Sequence, residues 1–171
     1  MAQQNKQFQR TEDGHLILMS LEERTLLITD LIPRIKHGVI CMIERVDDFG
    51  PRFRNEKLTG FGYEEDGQFY FDFNYGLTVN FAEKVKPYLR SLSTMTEEEK
   101  KELSKRYVFT IIGNEIQIRY HSEGLWDDDT ECSSDEYIWL INWLNKHHFD
   151  YNGLIRAGLA FEAKEGMYDI K

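Results

Sequence analysis

The stretch Tyr107-Val108-Phe109-Thr110-Ile111-Ile112-Gly113-Asn114-Glu115-Ile116-Gln117-Ile118-Arg119-Tyr120 decides the fold class. Ile116, Ile118 and Tyr120 alternate with Gln117, Arg119 and His121, a period of two that turns one face to a core and the other to water. Gly113-Asn114 separates two apolar runs, so the segment predicts a β-hairpin of Tyr107 to Ile112 with Glu115 to Tyr120. A second hairpin is expected of Leu58 to Glu64 with Gln68 to Phe73, because Asp66-Gly67 supplies the positive φ angles of a tight turn. Tyr75 to Phe81, Val39 to Val46 and His15 to Met19 read as further strands. Asp47 to Glu56 reads as a loop broken by Gly50-Pro51.

Helices are marked by their caps. Ser20-Leu21-Glu22-Glu23 and Thr96-Glu97-Glu98-Glu99 are capping boxes, in which a hydroxyl and a carboxylate three residues on each accept from an orphan backbone N–H. The first predicts a helix with Leu21, Thr25, Ile28 and Leu31 on one face, stopped near Ile32 by Pro33, with Gly38 ending the connection. The second predicts a helix to about Arg106, supported by Glu97 with Lys101 and Glu102 with Arg106. A third is expected from Ser133 or Ser134 through His147, with Tyr137, Ile141, Leu144 and His148 on one stripe and Trp139 and Trp143 beside it. A short fourth is expected between Asp150 and Gly158. Strands broken by a helix and followed by helices make an α+β fold, an antiparallel sheet of hairpins packed with three to four helices. Residues 1–14 are polar and aperiodic and read as a mobile tail, leaving 15–171 as one domain.

Apolar residues make up 41% of the 171, and eleven Phe, nine Tyr and three Trp supply a core. No run reaches the roughly 20 apolar residues that span a bilayer, and the polar start lacks a signal-peptide core. A cytoplasmic location in a bacterial host cell, with Cys41 and Cys132 as free thiols, is therefore expected. The net charge of −9 is uneven. Glu123, Asp127, Asp128, Asp129, Glu131, Asp135 and Glu136 fall in a segment without Lys or Arg, whereas Lys84 to Arg106 is basic. An acidic surface repels phosphate backbones, so direct nucleic-acid binding is disfavoured and a basic protein partner is not.

No catalytic residue and no cofactor emerge from motifs. Gly60-Phe61-Gly62 lies in a hairpin, without the helix amino terminus that a dinucleotide pyrophosphate needs, so these glycines predict close strand packing or a bulge. Asp127, Asp129 and Glu131 imitate the start of a calcium loop, but Cys132 and Ile138 stand where that loop needs Gly and Glu. Glu162-Ala163-Lys164 has a nuclease-like spacing without a basic groove. His147, His148 and Asp150 suit metal or proton transfer by residue type, yet adjacent helical residues point about 100° apart. Trp139 and Trp143 belong to a core by default. With an exposed edge beside Trp126, Asp127, Asp128, Asp129 and Glu131, they become anchors of a partner-binding surface.

Three segments carry a resemblance: Ser20 to Arg24 through Leu26, Leu27, Asp30, Leu31 and Arg34 to Gly38-Val39; Lys86 to Arg90 and Ser93 to Glu99; and, most specifically, Trp143-Leu144-Asn145, His147 to Tyr151, Gly153 to Ile155, Gly158 to Ala160 and Glu165 to Tyr168. In these the chain resembles proteins without assigned activity that are encoded by gut Bacteroidetes bacteria, their prophages, phages and other mobile elements. It departs from their pattern at Lys36-His37, Asn152 and Lys164. The resemblance implies a mobile-element setting and no reaction, and leaves His147, His148, Asp150 and Tyr151 as motif residues without a role.

The expectation is an accessory protein of a phage or mobile element that binds another protein, one version being an acidic inhibitor of a host defence or nucleic-acid-handling protein. Two alternatives stand beside it. One is a small hydrolase or nuclease using His147, His148, Asp150 or Glu162 with a divalent metal; the other is a structural or virion-associated subunit that forms a homo-oligomer.

Overall fold

Ser20 begins the first helix as its capping box predicts. Its hydroxyl accepts from the Glu23 N–H at 3.1 Å, and the Glu23 carboxylate accepts from the Ser20 N–H at 2.8 Å. Helix α1 follows at Leu21–Leu31. The structure, a computed structural model, describes residues 19–65, 69–79, 82–113, 115–120 and 134–168. The expected tail at 1–14, the expected strand at 15–18 and the acidic segment at 121–133 lie outside the described residues.

The buried face of α1 differs from the expected stripe: Leu27, Asp30 and Leu31 are buried, while Leu21 is 79% exposed. The cause is a charged pair within the buried face. Arg34 donates to Asp30 through Nε at 2.7 Å and Nη2 at 2.8 Å, with both side chains wholly buried. A carboxylate facing inward hides that face from any reading of apolar spacing. Pro33 ends the α-helix at Leu31; a 3-10 segment continues over Ile32–His37 and closes on Gly38 at φ 71°.

Strand β1, Ile40–Asp47, turns directly into β2, Gly50–Tyr63, and the two pair antiparallel from Asp47 with Gly50 to Ile40 with Lys57. This corrects the loop expected at 47–56. Gly50 takes φ 106° and closes the turn, and Pro51 sits at the strand start, where a missing N–H donor is tolerated. β2 then pairs with β3, Phe69–Phe73, which pairs with β4, Leu77–Val79. The register shifts between Leu58 and Gly60, and a Cβ at Gly62 would run into the Tyr70 ring, so the glycines serve the bulge and close packing that their place in a hairpin predicts.

The sequence reading missed β5, Val85–Leu89, which pairs antiparallel with β1. All five of its residues are buried, so it shows no alternation to find. A 3-10 turn at Ala82–Lys84 leads into it and touches α1, β1 and β3.

Beyond it lie α2, Glu97–Ser104, the hairpin of β6, Tyr107–Ile112, with β7, Glu115–Tyr120, then α3, Ser134–Lys146, α4, Leu154–Ala157, and β8, Phe161–Glu162. The sheet order is β4-β3-β2-β1-β5-β8, with β6-β7 a separate pair, and the fold is α+β as expected. The chain forms two compact units, Met1–Tyr88 with Leu154–Phe161 and Leu89–Gly153 with Glu162–Lys171.

In the first unit Leu27, Leu31, Val39, Cys41, Ile43, Leu58, Phe71 and Val85 are fully buried. In the second, Leu92, Met95, Leu103, Tyr107, Leu140, Trp143, Leu144 and Phe149 form one core, against which Phe109, Ile111, Ile116 and Ile118 of the hairpin pack. Tyr137 is 57% exposed, so the stripe of α3 runs through Leu140, Trp143 and Leu144 and not through Tyr137. The helix turns its two tryptophans inward, and these set the stripe. Among the described residues no helix is long and apolar enough to cross a membrane.

Candidate functional site

The end of α3 brings the motif residues into place. His148 adopts φ 58°, a left-handed conformation in which histidine is tolerated better than most residues. The Phe149 N–H reaches the Leu144 carbonyl at 3.0 Å and the His148 N–H reaches the Asn145 carbonyl at 3.1 Å. These two bonds are the Schellman termination, with His148 where glycine is usual. The reversal points the neighbouring imidazoles apart. His148 stacks on the Tyr168 ring at 3.8 Å between centroids, whereas His147 lies 4.2 Å from the Trp143 ring.

His147 meets α2. Its Nδ1 lies 2.9 Å from Glu99 Oε1, and both side chains are more than nine-tenths buried. Glu99 also accepts from Arg90 Nη1 at 2.6 Å, from Arg90 Nη2 at 2.9 Å and from the Thr96 N–H at 2.7 Å. Arg90 is held in turn. Its backbone bonds the His148 carbonyl and the Asp150 N–H at 2.8 Å each, and its guanidinium lies 4.4 Å from the Phe149 ring centroid. Burial alone would raise the Glu99 carboxyl; the hydrogen bonds from His147, Arg90 and the Thr96 backbone outweigh it and hold the group well below the usual carboxylate range.

This cluster borders a cleft of about 840 Å³, lined also by Glu98, Glu102, Lys146, Lys164, Glu165 and Tyr168. The other ring nitrogen of His147, Nε2, is buried and makes no hydrogen bond; the Glu102 carboxylate stands 4.0 Å from it, beyond hydrogen-bond reach.

Of the predicted site residues, Asp150 is fully buried and Tyr151 donates to Asn145 Oδ1 at 3.0 Å. Glu162 is exposed and Trp143 is 5% exposed within the core. Trp139 is half-buried, with the Arg106 guanidinium 4.4 Å from its ring centroid. Trp126, Asp127, Asp128, Asp129 and Glu131 lie outside the described residues. Among the described residues no three His, Cys, Asp or Glu side chains stand together as a ready metal cage. Cys41 offers no nucleophile: burial, aided by the nearby Asp30 charge, pushes its thiol far up.

Sequence reading missed Glu99, Arg90 and Glu102 as partners of His147. The capping box placed the Glu99 backbone, but nothing announced a contact 48 residues away. It also missed the tip of the β1–β2 hairpin. There Phe49 is 89%, Val46 60% and Phe53 40% exposed, with the Arg52 guanidinium 5.8 Å from the Phe49 ring centroid. Arg45 lies directly opposite Arg52, and Arg54 follows on the same face. The chain matches no protein-family model, no curated protein and no solved structure.

Proposed function

We propose that the chain acts by binding another protein and that the β1–β2 hairpin makes the contact. The observation that supports this reading is the exposure of Phe49 at the hairpin tip with the Arg52 guanidinium near its ring, Val46 and Phe53 exposed on one face of the hairpin and Arg45, Arg52 and Arg54 on the other. Exposed aromatic side chains flanked by arginine are the composition of binding hot spots. The partner is a protein with an apolar socket for Phe49 and acidic groups that meet the arginine-bearing face.

The test is recovery of partners from the host by tagged wild-type chain and by Phe49→Ser and Arg52→Glu variants. Both positions are exposed, and exposed substitutions change stability by about 0.5 kcal/mol at most. A partner held by the wild type and lost on the order of tenfold by either variant supports the hairpin; equal recovery by all three sinks it. The narrower reading, an acidic inhibitor of a defence or nucleic-acid-handling protein, rests on Asp127, Asp128 and Asp129. Changing those three to Asn and measuring the salt dependence of binding tests it separately.

A further inference from the structure

The geometry points to a divalent transition-metal site in the cleft of the second unit, with His147 Nε2 and the Glu102 carboxylate as protein ligands and Glu98 beside them. Hydrogen-bond accounting around Glu99 sets the chemistry of the imidazole. That carboxylate already accepts from both guanidinium nitrogens of Arg90 and from the Thr96 N–H, so it is the acceptor toward His147 as well. Nδ1 therefore carries a proton, and in the neutral ring Nε2 presents a lone pair. Nε2 is buried and without a hydrogen-bond partner in a side chain that lines the cleft. An imidazole whose Nδ1–H is fixed by a carboxylate, with Nε2 left over, is the arrangement that orients metal-binding histidines. The Trp143 ring at 4.2 Å fixes the plane of the imidazole.

Glu102 Oε2 stands 4.0 Å from Nε2. Ligand bonds to such ions are about 2.0–2.1 Å, so an ion between the two atoms would have them nearly opposite each other as they stand. The Glu102 side chain is 47% exposed and can rotate inward to a tetrahedral or octahedral angle. Glu98 lies one helical turn earlier on α2 and lines the same cleft, where it adds negative charge beside the two ligands. Lys146 and Lys164 also line the cleft and offset much of its acidic charge. Affinity must then come from the imidazole and carboxylate bonds, which suits zinc, nickel or cobalt better than calcium or magnesium. With two protein ligands, water fills the remaining positions.

The test titrates the folded full chain with zinc or nickel chloride, following heat and the imidazole ¹⁵N resonances of all five histidines. The expected result is 1:1 saturation with a shift at His147 Nε2, weakened on the order of tenfold or more in Glu102→Gln with the thermal midpoint unchanged. Glu98→Gln should weaken it less. His147 resonances that do not shift up to millimolar metal overturn the proposal, as does an affinity unchanged in Glu102→Gln. His147→Ala is not required, so a folding defect at that buried position leaves the result readable.

Discussion

Asp30 with Arg34 in the first unit and Glu99 with Arg90 in the second are both bidentate carboxylate–guanidinium pairs, yet they are built in opposite ways. The first joins residues four apart on one run of helical turns, and neither side chain is exposed. The second joins a strand end to the first turn of α2, keeps 14% and 8% of its side chains exposed, and takes in His147 as a third member. A pair wholly buried within a core can hold its surroundings in place and do little else. One assembled from three elements beside a cleft leaves a ring nitrogen unused, and that remainder is what chemistry requires.

The contrast can be broken most sharply at Asp30. Asp30→Ala leaves Arg34 charged and buried and should cost about 3–5 kcal/mol, whereas an apolar pair such as Asp30→Leu with Arg34→Met should recover most of it. Urea melts of the single and double variants check this, and equal losses in both would show that the ions themselves are needed.

At Glu99 the loss should be smaller, about 2–3 kcal/mol for Glu99→Gln, because the cluster is partly open to solvent. It should also depend on pH. The folded carboxyl lies below its unfolded value, so its stabilisation is complete above about pH 4.3 and drains away as pH falls below that. The stabilities of wild type and Glu99→Gln should therefore converge between pH 5 and 2; a constant gap would contradict the assignment. The smallest effect belongs to Glu102, half exposed and outside the hydrogen-bonded cluster. Glu102→Gln should shift stability by no more than about 0.5 kcal/mol in a thermal melt without metal.

Much of the local structure was legible. Both capping boxes form with the hydroxyl and carboxylate roles their spacing predicts, and the hairpin at 107–120 has the predicted bounds. The failures share a cause. On α1 and α3 the buried face was set by a buried ion pair and by inward tryptophans, which apolar spacing weighs wrongly. On α2 the ion pair formed is Glu97 with Lys100 at 2.7 Å, three residues apart instead of the four expected. Gly50-Pro51 has the spacing of a breaker, and the pairing that makes it the start of a strand comes from β1. At the candidate site His147 was visible as a residue worth noticing, while Arg90, Glu99 and Glu102 were not.

By itself the sequence determined caps, turns, strand alternation, the α+β class and the uneven placement of charge. Each depends on backbone groups and neighbours within a few residues, where spacing is the geometry. Tertiary structure alone decided which helix faces were buried, that β5 enters the sheet, that the hairpin tip exposes Phe49, and that Glu99 holds His147. Those outcomes depend on groups tens of residues apart, and spacing along the chain carries no distance between them.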